Sequence, residues 1–223
     1  MKTTNHLNGK ARMKLLLENW RGYLTEQQGK RLSVFDFDDT IAKTGNFGDA
    51  YLANTPEEEM TGPESERFVK RLDSEETELA KKAGTIDGTD VVIDFSDFNK
   101  EVRSPVGEIS NVTNIIRDRL KDGSTQVMVM TARGPESEEA IQNYLNTLKY
   151  PIKTSNMIIV GIRGGNKGEW ILRFLSANQG FTNVEFYDDQ DENIINVLRA
   201  SEKVSNVTFS LYKVLHGEIK PAL

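Results

Sequence analysis

Short apolar runs alternate with amphipathic stretches along most of this chain. Residues 32–35 form an apolar run bounded by polar residues, which predicts a buried strand. Later runs predict further strands over 125–130, 157–162, 183–187 and 207–214. The stretches between them carry apolar residues at helical spacing, as in Val112, Ile115, Ile116 and Leu120. This alternation predicts an α/β fold with a doubly wound parallel sheet.

The start of the chain predicts a different kind of element. Residues 1–30 are predicted to be a polar tail followed by an amphipathic helix over 11–24, with Leu16, Trp20 and Leu24 on one face. We expect this helix to pack against the main domain, which is predicted over 31–223. A leader or docking helix is the alternative, because the run LLLENWRGYL is similar to amphipathic leaders on some tailed-phage proteins.

Residues 44–99 lack the regular rhythm and are predicted to be a small insert. The glutamate-rich part over 55–79 predicts a helix with Phe68, Leu72 and Leu79 on one face. Residues 81–90 predict a loop and residues 91–93 a short strand. About fifty residues are too few for a second full domain.

Composition narrows the classes of function. The chain has 223 residues and a net charge of −6, which argues against a broad basic surface for nucleic acid. It has no cysteine and only two histidines, so thiolate metal sites are excluded. No apolar run approaches membrane-spanning length, and no signal peptide is visible, so we expect a cytoplasmic protein without membrane contact.

Polar clusters follow the predicted strands or open the helices after them. Asp36 and Asp38 come after the first run, and the sequences Thr131-Ala132-Arg133 and Asp188-Asp189 come after two later ones, while Lys167 opens a helix. Ligands bind beyond the carboxyl ends of strands in open α/β sheets, so we expect these clusters to converge. Neighbouring carboxylates repel, and they need a cation, a shared proton or full solvation. A solvated acidic turn is the alternative for Asp36 and Asp38.

The ordered set DxDxT, TAR, Lys and DD resembles the motifs of the haloacid dehalogenase-like superfamily, over residues 31–215. Members of that superfamily are mostly magnesium-dependent phosphatases that work through an aspartyl-phosphate. The resemblance implies that Asp36 is the nucleophile and Asp38 the general acid and base. It implies Mg²⁺ ligands from the Asp36 and Asp188 carboxylates and the Asp38 backbone carbonyl. It also implies phosphate binding by Thr131, Ala132 and Lys167, support from Asp189 and Arg133, and a cap or lid within 44–99.

Several of these residues have plainer interpretations. Thr131 is equally suited to capping the helix that follows it, and Arg133 either contacts substrate or pairs with Glu136. Lys153 competes with Lys167, but it precedes a strand, whereas a cation in the first turn of a helix opposes the helix dipole unless an anion relieves it. Asp191 and Glu192 suit the first turn of the next helix better than a metal site.

The substrate is the least constrained part of the prediction. The form FYDD, with Tyr187 before the acids, is similar to that of superfamily members acting on nucleic-acid ends. We therefore expect a phosphorylated small molecule, nucleotide or nucleic-acid end, with Arg133, Arg163 and Lys167 as a local positive rim. A phosphotransferase or phosphomutase and a catalytically idle binding protein are the alternatives. The oligomeric state is left open.

Overall fold

A computed structural model describes residues 29–103 and 107–222, so the helix predicted over 11–24 lies outside the described residues. The chain enters a central sheet through β1 (Lys30–Phe35), whose last four residues are buried. A smaller unit follows, made of β2 (Ala42–Lys43), β3 (Gly48–Leu52), β4 (Phe68–Leu72), α1 (Ser74–Ala83), β5 (Thr85–Ile86), β6 (Thr89–Asp94) and β7 (Gly107–Glu108). Strands and helices then alternate: α2 (Ser110–Lys121), β8 (Thr125–Thr131), α3 (Glu138–Thr147), β9 (Met157–Gly161), α4 (Lys167–Ala177), β10 (Phe181–Asp188), α5 (Asp191–Ser201), β11 (Thr208–Leu215) and β12 (Glu218–Pro221).

The central sheet has six strands in the order β12-β11-β10-β1-β8-β9. All neighbouring pairs are parallel except β11 and β12, which are antiparallel. The protein is therefore a mixed α/β structure with a mostly parallel central sheet. The strand predicted over 207–214 is present as β11, but it is not the last one, because the turn at His216 and Gly217 returns the chain as β12.

Apolar side chains form two clusters, one on each face of the central sheet, and β1 contributes side chains to both. Leu32 and Val34 belong to one cluster, with Ile171 of α4 and Val197 of α5. Phe35 belongs to the other, which also contains Val112 and Ile116 of α2 and Ile141 and Leu145 of α3. Successive side chains of a strand point to opposite faces, so each face of the sheet buries its own pair of helices.

The smaller unit lies between β1 and β8 in the chain and has its own sheet. That sheet is antiparallel in the order β4-β3-β6-β5, and Ala50, Leu72 and Ala80 join it to α1. The short strands β2 and β7 pair where the unit leaves and rejoins the central sheet. We call residues 44–103, which lie between β2 and β7, the inserted unit.

The prediction for the acidic part of the inserted unit was wrong. Phe68 and Leu72 lie in β4, and Leu79 lies in α1 with 62% of its surface exposed, so the three share no helical face. The helix begins later because Asp73 accepts a hydrogen bond from the Glu76 backbone at 2.8 Å, while the Glu76 carboxylate accepts one from the Asp73 backbone at 3.3 Å. This reciprocal capping fixes a helix start after Asp73.

The loop predicted over 81–90 is also partly wrong. Helix α1 continues to Ala83, and β5 and β6 form a tight hairpin around Asp87 and Gly88, which both have positive φ angles. The strand predicted over 91–93 is present within β6. Among the described residues, no helix is long and apolar enough to cross a membrane.

Candidate active site

Two of the predicted acids come together at the carboxyl ends of neighbouring strands. In the register of β1 and β10, Phe35 pairs with Tyr187, and the Asp36 backbone N–H donates to the Tyr187 carbonyl at 2.9 Å. Asp36 follows β1 directly and Asp188 is the last residue of β10. Asp36 is 6% exposed and Asp188 is 0% exposed, so both carboxylates are buried at the carboxyl ends of their strands.

Lys167 bridges these two carboxylates. Its Nζ donates to Asp36 Oδ1 at 2.5 Å and to Asp188 Oδ2 at 2.8 Å, and the residue is 1% exposed. Lys167 is the first residue of α4, whose N-terminus is capped by the Asn166 side chain. The next residue is Gly168, where a Cβ atom would lie 2.3 Å from the Asn196 carbonyl oxygen of α5. The glycine therefore lets α4 approach α5 closely beside the lysine.

A third carboxylate, Asp189, completes an acidic group. One carboxylate oxygen from each of Asp36, Asp188 and Asp189 lies within 4.8 Å of the others. Asp188 Oδ1 accepts from the Gln190 backbone at 2.8 Å and from Asn193 Nδ2 at 3.1 Å, while Lys167 binds Oδ2, so both oxygens of this carboxylate are oriented. One lysine among three ionised carboxylates leaves two negative charges in the group.

Burial and crowding shift the acidity of this group. Burial raises the pKa of Asp36 well above its usual range; Lys167 opposes this rise, while Asp188 and Asp189 add to it. Burial likewise raises the pKa of Asp189, with a further contribution from Asp188, to about 7. For Lys167, burial alone would lower the pKa, but Asp188 and Asp36 outweigh it and hold the pKa above its ordinary value, so the lysine is a cation.

The other predicted acid, Asp38, is held by Arg133. Arg133 Nε and Nη2 donate to the two oxygens of Asp38 at 2.8 and 2.6 Å, in a side-on arrangement. The same guanidinium donates to Thr44 Oγ1 at 3.2 Å, Asn46 Oδ1 at 3.0 Å and the Phe98 carbonyl at 2.7 Å, all in the inserted unit. Arg133 is 4% exposed, and it ties the inserted unit to Asp38.

The two remaining predicted phosphate-binding residues lie near the same edge. Thr131 ends β8 and is 1% exposed, and its hydroxyl accepts from the Arg133 backbone at 3.2 Å. Ala132 is exposed and its carbonyl accepts from the Gly164 backbone at 2.7 Å, which joins the loop after β8 to the loop before α4. The structure thus brings the predicted residues of all four motifs to one end of the sheet.

A cleft of about 450 Å³ opens over these residues. Its floor includes Asp36, Asp38, Lys167 and Asp189 at the edge of the central sheet. Its opposite wall comes from the inserted unit, with Phe95, Ser96, Phe98 and Asn99 in and around a short 3₁₀ helix (Ser96–Asn99). The resemblance implied a cap or lid within 44–99, but residues 95–99 carry no periodic pattern that would indicate which side chains form this wall.

Two expectations about positive charge are wrong. Arg133 does not pair with Glu136; Arg163 does, at 2.7 Å between Nη2 and Oε2. Lys167 and Arg133 are buried in ion pairs with carboxylates, so they do not form a positive rim with Arg163. The alternative lysine, Lys153, directly precedes a 3₁₀ turn (Thr154–Asn156) and is exposed. It makes no ion pair with the described carboxylates of the site.

Tyr187, which suggested a link to nucleic-acid ends, has a packing role. Its ring stacks between those of Phe35 and Tyr212, with centroid distances of 4.6 Å on each side. The residue is 2% exposed and lies in the hydrophobic cluster under the sheet rather than in the cleft. The aromatic residue before Asp188 is therefore explained by stacking across β1, β10 and β11.

Comparisons with known proteins identify no family. No model of a known protein family matches the chain, and no curated protein is significantly similar to it. Two solved structures of the Legionella pneumophila effector Ceg4 are similar in part, both at 15% sequence identity. The form with an N-terminal TEV protease cleavage sequence has a TM-score of 0.43 over 83% of this chain and 86% of that one. The form with an N-terminal yeast Hog1p sequence has a TM-score of 0.46 over 86% and 90%. These values are too low to assign a family or an activity.

Proposed function

We propose that this protein is a magnesium-dependent phosphomonoester hydrolase of the haloacid dehalogenase-like superfamily, with Asp36 as its nucleophile. The observation that carries the proposal is the bridge from Lys167 Nζ to both Asp36 and Asp188, at the carboxyl ends of adjacent strands. A buried carboxylate held by a lysine beside further carboxylates is arranged for attack on an anionic group rather than for packing.

The proposed superfamily also specifies the roles of the central sheet and the inserted unit. The central sheet is taken as the doubly wound sheet of that superfamily, with the active site where the chain order reverses around β1. The inserted unit is taken as its small cap, which is supported by its position between β1 and β8 and by its contribution to the cleft wall. A phosphate ester in the cleft would then lie between the cap and the sheet edge.

In the proposed reaction, the phosphoryl group passes first to Asp36 and then to water. The Asp36 carboxylate forms a bond to phosphorus while the bond from phosphorus to the ester oxygen breaks, and Asp38 gives that leaving oxygen a proton. Water then attacks the acyl phosphate, Asp38 takes its proton, and phosphate leaves as the Asp36 carboxylate is restored. Lys167 fixes the nucleophile's orientation, and Thr131 and Ala132 supply polar groups at the end of β8 for the phosphate oxygens.

The acidic group fits a magnesium ion. When Asp36, Asp188 and Asp189 are all ionised, Lys167 offsets one of their charges and two remain, which match a divalent cation; oxygen donors alone are what Mg²⁺ prefers. Asp36 and Asp188 are the ligands that the resemblance implies, with the Asp38 backbone carbonyl; Asp189 is close enough to assist. When bound, Mg²⁺ would reduce the repulsion between the anionic nucleophile and the anionic phosphate.

Two other functions use the same site. A phosphotransferase or phosphomutase would share Asp36 and differ only in passing the phosphoryl group to an alcohol instead of water. A binding protein without catalysis would keep the fold and not turn over any ester. Product analysis separates these possibilities, since only the hydrolase releases inorganic phosphate without an acceptor alcohol.

The test measures phosphate release from a panel of phosphomonoesters with Mg²⁺, comparing the wild type with Asp36→Asn. We expect Asp36→Asn to abolish turnover and to keep its melting temperature, because the amide preserves the shape and relieves carboxylate repulsion. Mass spectrometry of peptides from acid-quenched reactions should detect a phosphorylated Asp36 peptide in the wild type only.

Asp87→Asn is the matched control. Asp87 lies in the β5–β6 turn with a φ angle of 49°, which asparagine also tolerates, and it is outside the cleft. This variant should keep wild-type activity. Near wild-type hydrolysis by Asp36→Asn would refute the covalent mechanism, and absence of phosphate release from every ester would refute the hydrolase.

A further inference from the structure

The wall that the inserted unit gives to the cleft is aromatic. Phe95 and Phe98 are the two large apolar side chains among the described residues that line it; the other lining residues are polar, charged, alanine or glycine. Both phenylalanines are half-buried rather than enclosed in a core. Apolar rings placed opposite a polar catalytic floor are typical of sites that fix the non-reacting part of a ligand.

The rings of Phe95 and Phe98 do not stack on each other. Their centroids are 6.2 Å apart with an angle of 49° between the planes, so they are tilted rather than stacked. The Arg133 guanidinium lies 5.3 Å from the Phe98 centroid, and the Lys81 ammonium lies 5.7 Å from the Phe95 centroid. Each ring therefore has a cation near it but no stacked aromatic ring among the described residues, and a planar ligand would supply that stacking.

The charge of the cleft limits what else the ligand carries. Six carboxylates line it (Asp36, Asp38, Asp39, Glu57, Asp94 and Asp189) against four cations (Lys81, Arg133, Arg163 and Lys167). Arg133 is bound to Asp38, Lys167 to Asp36 and Asp188, and Arg163 to Glu136. A bound Mg²⁺ would offset the excess of negative charge but leave no surplus of positive charge for a chain of several phosphates, whereas a single phosphate would be held by the metal itself.

We propose that the substrate is a small phosphomonoester whose non-phosphate part is a planar aromatic group, bound against Phe95 and Phe98. This inference rests on the proposed hydrolase and names its substrate class. Two sources share the chemistry: the base of a nucleoside monophosphate, and an aryl ring bonded directly to the ester oxygen. An oligonucleotide end is disfavoured, because the residues that line the cleft offer no surplus of positive charge for its further phosphates.

Matched pairs of esters test the proposal on the full chain with Mg²⁺. Adenosine 5′-monophosphate against ribose 5-phosphate keeps the leaving alcohol and removes only the base, and phenyl phosphate against cyclohexyl phosphate keeps the carbon count and removes aromaticity. We expect kcat/KM to favour the aromatic member of at least one pair, and Phe95→Leu to lower that preference about three- to tenfold. The change in preference on mutation cancels the higher intrinsic reactivity of aryl esters.

Binding is measured separately by calorimetry with phenylphosphonate and cyclohexylphosphonate, which are not hydrolysed. Phe98→Leu is the second variant, so the test does not depend on the folding of one protein. Phe181→Leu is the control, because Phe181 begins β10 at the end opposite Asp188 and packs against the cluster that contains Leu32 and Val34. It should leave every preference unchanged.

The outcomes separate this inference from the proposed function. Hydrolysis without preference in either pair, or a preference that neither Phe95→Leu nor Phe98→Leu reduces, overturns the inference and leaves the hydrolase standing. A stronger binding of phenylphosphonate without turnover of any ester refutes the hydrolase and keeps the aromatic site. Faster turnover of a 5′-phosphorylated oligonucleotide than of the mononucleotide also overturns the inference, and a steep fall with added salt would then identify phosphate contacts.

Discussion

Removing the Arg133 guanidinium should impair Asp38 selectively. Arg133 donates two of its hydrogen bonds to Asp38 and three to the inserted unit. Lysine at this position keeps the positive charge but loses the two parallel donors that fix the carboxylate. In Arg133→Lys, therefore, Asp38 keeps a cation nearby and loses its fixed orientation, which is the property that proton transfer to a leaving oxygen requires.

The size of the effect follows from burial and from the chemistry. Removing one partner of a fully buried ion pair costs about 3–5 kcal/mol; because lysine keeps a cation near Asp38 and 21% of the Asp38 side chain is exposed, we expect a smaller loss, roughly 2–3 kcal/mol of unfolding free energy. General acid catalysis contributes on the order of 10²–10⁴ in rate, so a misoriented Asp38 should cost about 10- to 100-fold. That loss should fall on esters whose alcohol needs the proton.

The assay compares benzyl phosphate with p-nitrophenyl phosphate, since p-nitrophenolate leaves readily without a proton. Arg133→Lys should reduce kcat/KM for the benzyl ester by the full amount and for the p-nitrophenyl ester by less than about threefold. Asp38→Asn should show the same contrast, and the double variant should lose little more than Asp38→Asn, because both changes remove one function.

Asn46→Ala is the control for the inserted unit. It removes one acceptor of the same guanidinium, at 3.0 Å, and leaves both Asp38 contacts. We expect a lower melting temperature and similar losses on the two esters. Equal losses on both esters in Arg133→Lys, or additive losses in the double variant, would mean that Arg133 supports the fold without orienting Asp38.

Two further predictions concern the metal and the acidic group. Asp188→Asn should raise the Mg²⁺ concentration needed for half-maximal activity, and Ca²⁺ should inhibit the wild type, because it prefers more ligands and looser geometry; full activity in a chelator would exclude the metal. The pKa of Asp189 is raised to about 7, so the metal-free folded state binds a proton that the unfolded state has released, and stability should fall as pH rises from about 4 to 7. Asp189→Asn should remove that part of the pH dependence in metal-free melting curves, an effect of at most about 4 kcal/mol; parallel curves for the wild type and the variant would show that Asp189 is not the group responsible.

The sequence was sufficient for the parallel strands of the central sheet, though not for β12, because their signals are local. The runs that became β8, β9 and β10 are short, are bounded by polar residues and are followed by residues at helical spacing, and these strands and β11 lie where the sequence predicts them. Polar residues at the ends of such runs must meet at one edge, since parallel strands share their carboxyl ends. Asp36, Lys167 and Asp188 could therefore be expected near one another, although their roles stay predictions.

The inserted unit was harder to predict because its signals conflict. Phe68 and Leu72 are four residues apart, a spacing that fits a helix as well as alternate positions of a strand. The antiparallel partner β3 decides between them, and it lies about twenty residues earlier, with Asp49 opposite Arg71. The Asp73 and Glu76 capping box was a local signal that would have placed the helix start correctly.

The partner of Arg133 was not predictable for a related reason. Arg133 and Glu136 are three residues apart, so local spacing favours their pairing, whereas Asp38 is 95 residues away. The loop after β8 folds back instead over the carboxyl end of β1, where Asp38 and the inserted unit supply five acceptor contacts. Glu136 is left to the exposed Arg163. The outcome depends on which acceptors the fold brings together, and one sequence carries no record of that.

Lys167 shows how a local conflict can indicate a site. A lysine in the first turn of a helix faces the positive end of the helix dipole, at a cost of several tenths of a kcal/mol or more. Burying its ammonium to 1% exposure costs much more unless carboxylates surround it. Asp36 and Asp188 meet that need at 2.5 and 2.8 Å, yet they bring two negative charges, and Asp189 adds a third. When all three carboxylates are ionised they exceed the charge of the lysine by two, and this excess is what the proposed Mg²⁺ would neutralise.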